Sequence, residues 1–303
     1  MPVVRRREDQ LQPETDMAKV SVVIPSRNEK LLAKTVDDIF AKATGEIEVI
    51  VILDGPTSYP LPAERPSLKF IRKAKPEGLR IADNDGARVA TGKYLLKTDA
   101  HCMFGEGFDE ILKTDMESDW VAVPRRFSLN PDLWLPKPHP GVDYFYLGCP
   151  WTDPLFLMRN RHWKSKASHS RHIPIDDQMT IHGSMWFTTL DHFRNRIGGL
   201  DEERFGSFAG EPQEIVLKTW LGGGRVIINK NTWYAHLHSA MQRPRGYRLT
   251  KAEMLDGYIA SAHYWTENKW EDRIHDFDWL IEKFWPVPSW PKNWREYYEE
   301  TNE

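Results

Sequence analysis

The sequence predicts an α/β protein with a mostly parallel, doubly wound sheet flanked by helices, and three observations carry that expectation. Short β-branched runs alternate with stretches whose apolar residues recur every three or four positions, as expected of strands joined by crossover helices. Runs in the first third of the chain end at Pro25, Asp54 and Asp99, and open sheets bind ligands at the carboxyl ends of their strands. At 303 residues and 40% hydrophobic content, the chain can bury a sizeable core.

Residues 1–18 are polar, charged and aperiodic, which predicts a flexible arm. Residues 20–24 form a first strand closed by Pro25, followed by the loop Ser26, Arg27, Asn28 and Glu29. Leu31, Leu32, Thr35, Val36, Ile39 and Phe40 then fall at helical spacing, with Gly45 as a stop. Strands are expected over 48–53, 68–72, 94–98 and 120–123, and helices over 79–90 and 108–116. Residues 124–151 are dense in proline, so a central strand or helix is not expected there; an ordered loop lined by Trp134, Tyr144, Phe145 and Tyr146 is. Short strands return at 226–228 and 233–238. From Thr250 onward the chain is helical, and Tyr258, Trp265, Trp270, Trp279, Trp285, Trp290 and Trp294 read chiefly as packing residues.

The most informative stretch is 95–103, an apolar run that ends in Asp99 and His101. In an extended segment residues i and i+2 share a side, so both can face one ion. One oxygen and one nitrogen ligand suit Mn²⁺, Co²⁺ or Zn²⁺ better than Ca²⁺, and leave positions open for a substrate such as a diphosphate. Taken alone, an Asp-x-His triplet is more often a surface turn than a metal site; its place at a strand end favours the ligand reading. No Gly-x-Gly-x-x-Gly follows the first strand and no Gly-x-x-x-x-Gly-Lys-Ser/Thr occurs, which argues against a dinucleotide dehydrogenase or a P-loop kinase. Without a glycine cradle, phosphates need a metal to neutralise them.

Composition narrows the partners. A net charge of −3 gives no global pull toward polyanions. Locally, residues 159–172 hold five Lys or Arg, three His and no acid, either a solvated loop or a grip on an anionic acceptor. Two cysteines are too few for a disulfide framework and fit a reducing compartment. Neither an export signal nor a span of about 18 apolar residues is evident, so a cytoplasmic location is expected.

Residues 22–29, the 51–54 strand end, 77–92 and 98–102 together resemble a GT-A-fold glycosyltransferase of the family-two kind, and are most similar to polypeptide N-acetylgalactosaminyltransferase catalytic domains. The resemblance covers about residues 19–240. It implies a Rossmann-like GT-A catalytic domain at 19–240, with a nucleotide-sugar half at 19–123 and an acceptor half at 124–240. An aromatic-rich helical extension at 241–303 would complete the chain. It further implies that Pro25, Ser26, Arg27, Glu29 and Asp54 hold the uridine, Asp54 by accepting from the uracil N–H, and that Arg80 and Asn84 are lesser binding positions. Asp99 and His101 would bind Mn²⁺ with the UDP diphosphate, and a third ligand would come from 233–238, His238 by position with His236 as the alternative. Residues 208–214 stand where the family carries a Trp-Gly-Gly-Glu-Asn motif; here the tryptophan and asparagine are missing, leaving Glu211 and Glu214 as candidates for the donor-sugar hydroxyls. The activity implied is hexosyl transfer from a UDP-sugar to a hydroxyl, with retention of configuration. The acceptor would be hydroxymethylated phage DNA, gripped by 159–172, or a cell-surface glycan or protein. The chain could instead be a non-catalytic nucleotide-sugar-binding module.

Overall fold

A computed structural model of the chain describes residues 16–114, 116–238 and 251–303. Residues 1–15 of the expected arm and the boundary at 240/241 lie outside these. Residues 16–18 do not belong to an arm, because the first strand already starts at Asp16.

Four parallel strands form one half of the sheet: β1 (Asp16–Ser26), β2 (Ile47–Leu53), β3 (Leu68–Arg72) and β4 (Gly92–Thr98), in spatial order β3-β2-β1-β4. Their crossovers carry α1 (Leu32–Lys42) and α2 (Leu79–Val89). Six of the seven residues of β2 are buried, as a strand covered on both faces requires. The period of two in β1 sorts its side chains: Val23 joins Ile50, Ile52 and α2 on one face, while Val22 and Ile24 join Val49, Val51 and α1 on the other. Gly86 of α2 lets the helix close on the sheet, since a Cβ there would lie 2.4 Å from the Val23 side chain.

Beyond β4 the chain forms β5 (Cys102–Phe104), α3 (Phe108–Lys113), β6 (Trp120–Asn130) and the short β7 (Leu135–Pro136). A two-stranded ladder, β8 (Phe145–Leu147) with β9 (Asn160–His162), precedes α4 (Lys164–His169) and β10 (Ile175–Asp177). Next come β11 (Met185–Thr189), α5 (Glu202–Phe205), α6 (Glu211–Leu221) and β12 (Arg225–His236). The full order is β10-β12-β6-β11-β4-β1-β2-β3, with β11 antiparallel between β4 and β6.

Two expectations are corrected here. Pro124 does not end the strand before it: β6 continues to Asn130, crossing the expected junction between the two halves. It can do so because the ladder is irregular at that point; Pro124 pairs with Asn229 and the next pair is Arg125 with Trp233. The surplus residues of β12 lie beside the proline, and a bulge is where a missing N–H is tolerated. The segments expected separately at 226–228 and 233–238 are therefore one strand, which ends at His236.

Three helices complete the fold: α7 (Lys251–Thr266), α8 (Phe277–Lys283) and α9 (Trp294–Asn302). Their aromatic residues enter the core that includes Tyr144, Trp163 and Trp220. Trp290 Nε1 donates to the Leu147 carbonyl at 2.7 Å, and Trp151 Nε1 to Thr301 Oγ1 at 3.0 Å. Trp294 is 1% exposed between Trp290 and Tyr298. Trp294→Ala should therefore cost about 3–5 kcal/mol, the range for emptying a large core aromatic site; denaturant unfolding followed by tryptophan fluorescence and circular dichroism measures it.

Candidate metal and nucleotide site

The topology gathers the polar strand ends at one edge. Asp54 follows β2, Pro25 and Ser26 end β1, and Asp99 follows β4. Because β11 is antiparallel, its start lies at this same edge: Met185 pairs with Thr98, and Asp99 N–H donates to the Ser184 carbonyl at 2.9 Å. A cavity of about 610 Å³ runs along these ends, of the size that holds a nucleotide-like ligand. Pro25, Ser26, Arg27, Glu29 and Asp54 line one part of it, Asp99, His101 and His236 the middle, and His182 and Glu211 the part beyond.

In the middle three donor atoms converge. His101 Nε2 and His236 Nε2 are 3.0 Å apart, and Asp99 Oδ2 lies 3.8 Å from the first and 3.2 Å from the second. Among the described residues this is the group able to hold a metal ion. The separations allow one ion about 2.1 Å from each atom, and two imidazole nitrogens with one carboxylate oxygen suit a borderline divalent cation with positions left open. The neighbours orient the donors. Lys97 Nζ lies 3.0 Å from Asp99 Oδ1 and donates to the Gly183 carbonyl at 2.6 Å, which leaves Oδ2 for the ion. Glu29 Oε2 stands 3.5 Å from His101 Nδ1, on the side of the ring away from Nε2.

The third member of the group is His236, not His238. The β12–β5 register sets His236 opposite Cys102, beside His101, whereas His238 lies past the end of the strand and bonds to Arg126. Alternation puts both on one side; only the cross-strand register separates them.

Electrostatics fit a preformed ligand set. Burial pushes the Asp99 carboxyl up, but the Lys97 ammonium and the neighbouring histidines overrule it and hold the group well below the usual carboxylate range. Burial lowers the imidazoles of His236 to about 3 and His238 to about 4, so both are neutral at ordinary pH. For Lys97 burial is outweighed by Asp99, Glu211 and Asp83, which raise its pKa and keep it an ammonium.

Several expected binding residues have other work. Asp54 accepts from Arg27 Nε at 2.8 Å and from the Glu77 N–H at 2.6 Å, so it braces the loop after β1 and the turn before α2 rather than presenting a vacant acceptor. Arg80 is fully buried and donates to Glu214 Oε2 at 3.0 Å and to the carbonyls of Gly206 and Ala209. Glu214 also bonds Lys218 and the Asp201 N–H. Asn84 exchanges bonds with the backbone of Leu200. Arg80, Asn84 and Glu214 thus fasten the 199–214 segment to α2 and do not line the cavity. Glu211 does line it: Trp186 Nε1 donates to Oε1 at 2.6 Å, and burial, opposed by Lys97, raises its pKa. Gly183 makes room for it, since a Cβ there would lie 2.4 Å from Glu211 Oε2.

Lys97, His182 and Gln213 also line the cavity and were not anticipated. A lysine within a buried strand, two residues before Asp99, was a readable signal for Lys97; nothing in the sequence marked His182 or Gln213. In the basic stretch, Arg159 pairs with Asp153 and Lys166 with Asp176, while Arg161, Lys164 and Arg171 are exposed. Cys102 and Cys149 are free and buried. Among the described residues no helix is long and apolar enough to cross a membrane.

A mostly parallel sheet with a carboxylate–histidine cluster at its strand ends defines a class of α/β protein with a ligand cavity and a group able to hold a metal ion at one edge. The profile of glycosyl transferase family 2 matches residues 21–179, and the chain belongs to that family. It is 26% identical over 272 residues to polypeptide N-acetylgalactosaminyltransferase 5 of Caenorhabditis elegans, covering 84% of this chain and 42% of that protein. It is likewise 26% identical over 214 residues to inactive polypeptide N-acetylgalactosaminyltransferase-like protein 5 of Macaca fascicularis, covering 69% and 46%. The chain spans less than half the length of the curated relatives it matches. The crystal structure of GalNAc-T7 with UDP, GalNAc and Mn²⁺ superposes with a TM-score of 0.65 at 18% identity, over 93% of this chain and 55% of that one. The fold is thus the GT-A fold.

Two outcomes follow from this geometry. His236→Ala should weaken Mn²⁺ binding about 100-fold or more and His238→Ala less than about 10-fold, read by titration calorimetry, since loss of a ligand exceeds the 10–100-fold typical of outer contacts. The buried imidazoles of His192 and His236 have folded-state values of about 4 and about 3, below the ordinary 6.5. The unfolded chain therefore takes up protons first as pH falls below 6.5, and metal-free stability should drop by about 1–2 kcal/mol for each by pH 5, measured by urea unfolding at pH 7 and pH 5.

Proposed function

We propose that the chain is a metal-dependent glycosyltransferase that moves a hexosyl unit from a UDP-sugar to an acceptor hydroxyl, with Asp99, His101 and His236 holding the ion. The observation that carries this is the convergence of those three donor atoms at the strand ends, in the wall of a cavity of about 610 Å³. Its likeness to proteins named for N-acetylgalactosaminyl transfer, and to a structure holding UDP and Mn²⁺, supports the donor class. The uridine would occupy the part lined by Pro25, Ser26, Arg27 and Glu29, and the sugar the part lined by Glu211. A bound Mn²⁺ would supply Lewis-acid stabilisation of the charge that grows on UDP.

The chain's own contributions are positional. Lys97 fixes Asp99, Glu29 places a carboxylate 3.5 Å from His101 Nδ1, and Glu211 presents Oε2 to the sugar while Trp186 holds Oε1. As the bond from the anomeric carbon to the β-phosphate oxygen breaks, the acceptor oxygen bonds to that carbon and its proton passes to the departing phosphate oxygen. This is a retaining course and needs no protein base; Glu211 is the group an inverting course would require. Arg161, Lys164 and Arg171 are exposed cations in the stretch that continues from the cavity wall at Leu157–Asn160, which supports a polyanionic acceptor such as hydroxymethylated DNA.

UDP release from a panel of UDP-sugars with Mn²⁺, with and without hydroxymethylated DNA, tests these readings. Release should rise with the true acceptor and fall about 1,000-fold or more in Asp99→Ala, as expected when metal-borne stabilisation of a leaving group is removed. DNA-independent release would transfer the acceptor role to a glycan or protein, and UDP-sugar binding without any release would identify a binding module.

A further inference from the structure

His182 has a hydrogen-bonding arrangement that fixes which of its nitrogens carries the proton. Its Nδ1 lies 3.3 Å from the Ser184 backbone nitrogen, which can only donate. The Ser184 hydroxyl is 2.8 Å from the same Nδ1 and 2.8 Å from the Tyr234 hydroxyl. Tyr234 is buried, and a phenol carries its proton at ordinary pH, so it donates to Ser184, which in turn donates to His182. With Nδ1 accepting on both counts, the neutral ring carries its hydrogen on Nε2.

That hydrogen has a specific outlook. His182 lines the cavity, and its ring lies 5.4 Å from that of His236 and 5.6 Å from that of His238, centroid to centroid. Along the edge the order is Asp54 after β2, Ser26 after β1, Asp99 after β4, then His182 before β11. Relative to the nucleoside end, His182 therefore stands beyond the metal cluster, where the far phosphate of a nucleoside diphosphate would lie.

We propose that His182 is a catalytic residue whose Nε2–H donates a hydrogen bond to the β-phosphate oxygens of the UDP leaving group, held in that tautomer by the Tyr234–Ser184 relay. This rests on the UDP-sugar reading above. A neutral donor serves a departing anion well: it gains strength as charge accumulates on the oxygen, and it neither gives up its proton nor competes with the acceptor for one.

Calorimetric binding of UDP, UMP and uridine, each with Mn²⁺, tests it in wild type, His182→Phe, His182→Gln and Ser184→Ala. His182→Phe should weaken UDP about 10- to 100-fold, the worth of a hydrogen bond to a charged group, and leave UMP and uridine within about 3-fold. His182→Gln, which can offer an amide N–H, should recover part of the loss, and Ser184→Ala should fall between. Equal weakening of all three ligands, unchanged UDP binding in His182→Phe, or an effect confined to the KM of the acceptor would overturn the assignment. If wild type binds no UDP, the donor reading itself fails, which is a separate result.

Discussion

The site depends on how one carboxylate is divided. Asp99 gives Oδ1 to a buried ammonium and keeps Oδ2 for two imidazoles. Without Lys97, burial would favour the protonated acid, and a protonated acid is a poor ligand. Lys97 can remain charged in the interior only because Asp99, Glu211 and Asp83 surround it. The ligand and its counterion are therefore each the condition for the other's charge, and both are fixed by β4, the strand flanked on one side by parallel β1 and on the other by antiparallel β11. Removing either partner would leave an uncompensated buried charge, which costs far more than a surface pair is worth.

The parallel half of the fold was legible because its information is local. Apolar runs of strand length, helical spacing between them and polar residues at the run ends specify β1 to β4 and the edge where Asp54 and Asp99 appear. What the sequence hid was decided by pairing between distant segments. Residues 185–189 are all buried, so β11 shows no alternation to announce a strand, still less its antiparallel direction. Pro124 argued against a strand that exists because β12 supplies a bulge opposite it. The choice between His236 and His238 turns on a register with β5, which no property of residues 233–238 contains.

Charged residues were ambiguous for a related reason. Glu211 and Glu214 sit in the same helical turn, and composition cannot say which faces a cavity. The structure separates them by what waits on each side: Trp186 and Gly183 beside Glu211, Arg80 and Lys218 beside Glu214. Arg80, expected as a lesser binding position, instead ties α2 to the loop that presents Glu211, so its contribution to the site is mechanical. The C-terminal helices likewise pack as expected, yet Tyr258 of α7 reaches the cavity wall, which couples the extension to whatever the cavity holds.

The irregularity in β12 has a consequence for how this architecture can change. Between the pairs Asn229–Pro124 and Trp233–Arg125 the strand carries three residues without partners in the ladder. The stretch behaves as a joint that separates two lengths of strand: the first is locked into the hydrophobic interior, while the second delivers His236 opposite Cys102. A residue gained or lost inside the joint leaves the pairing of either length with β6 in place, at the expense of the bonds that Lys230 makes to Pro174 and Ser170. The same change made after Trp233 would turn the histidine to the opposite face, because side chains alternate with every residue. Variation in chain length before a single tryptophan thus spares the facing of the histidine, and after it does not.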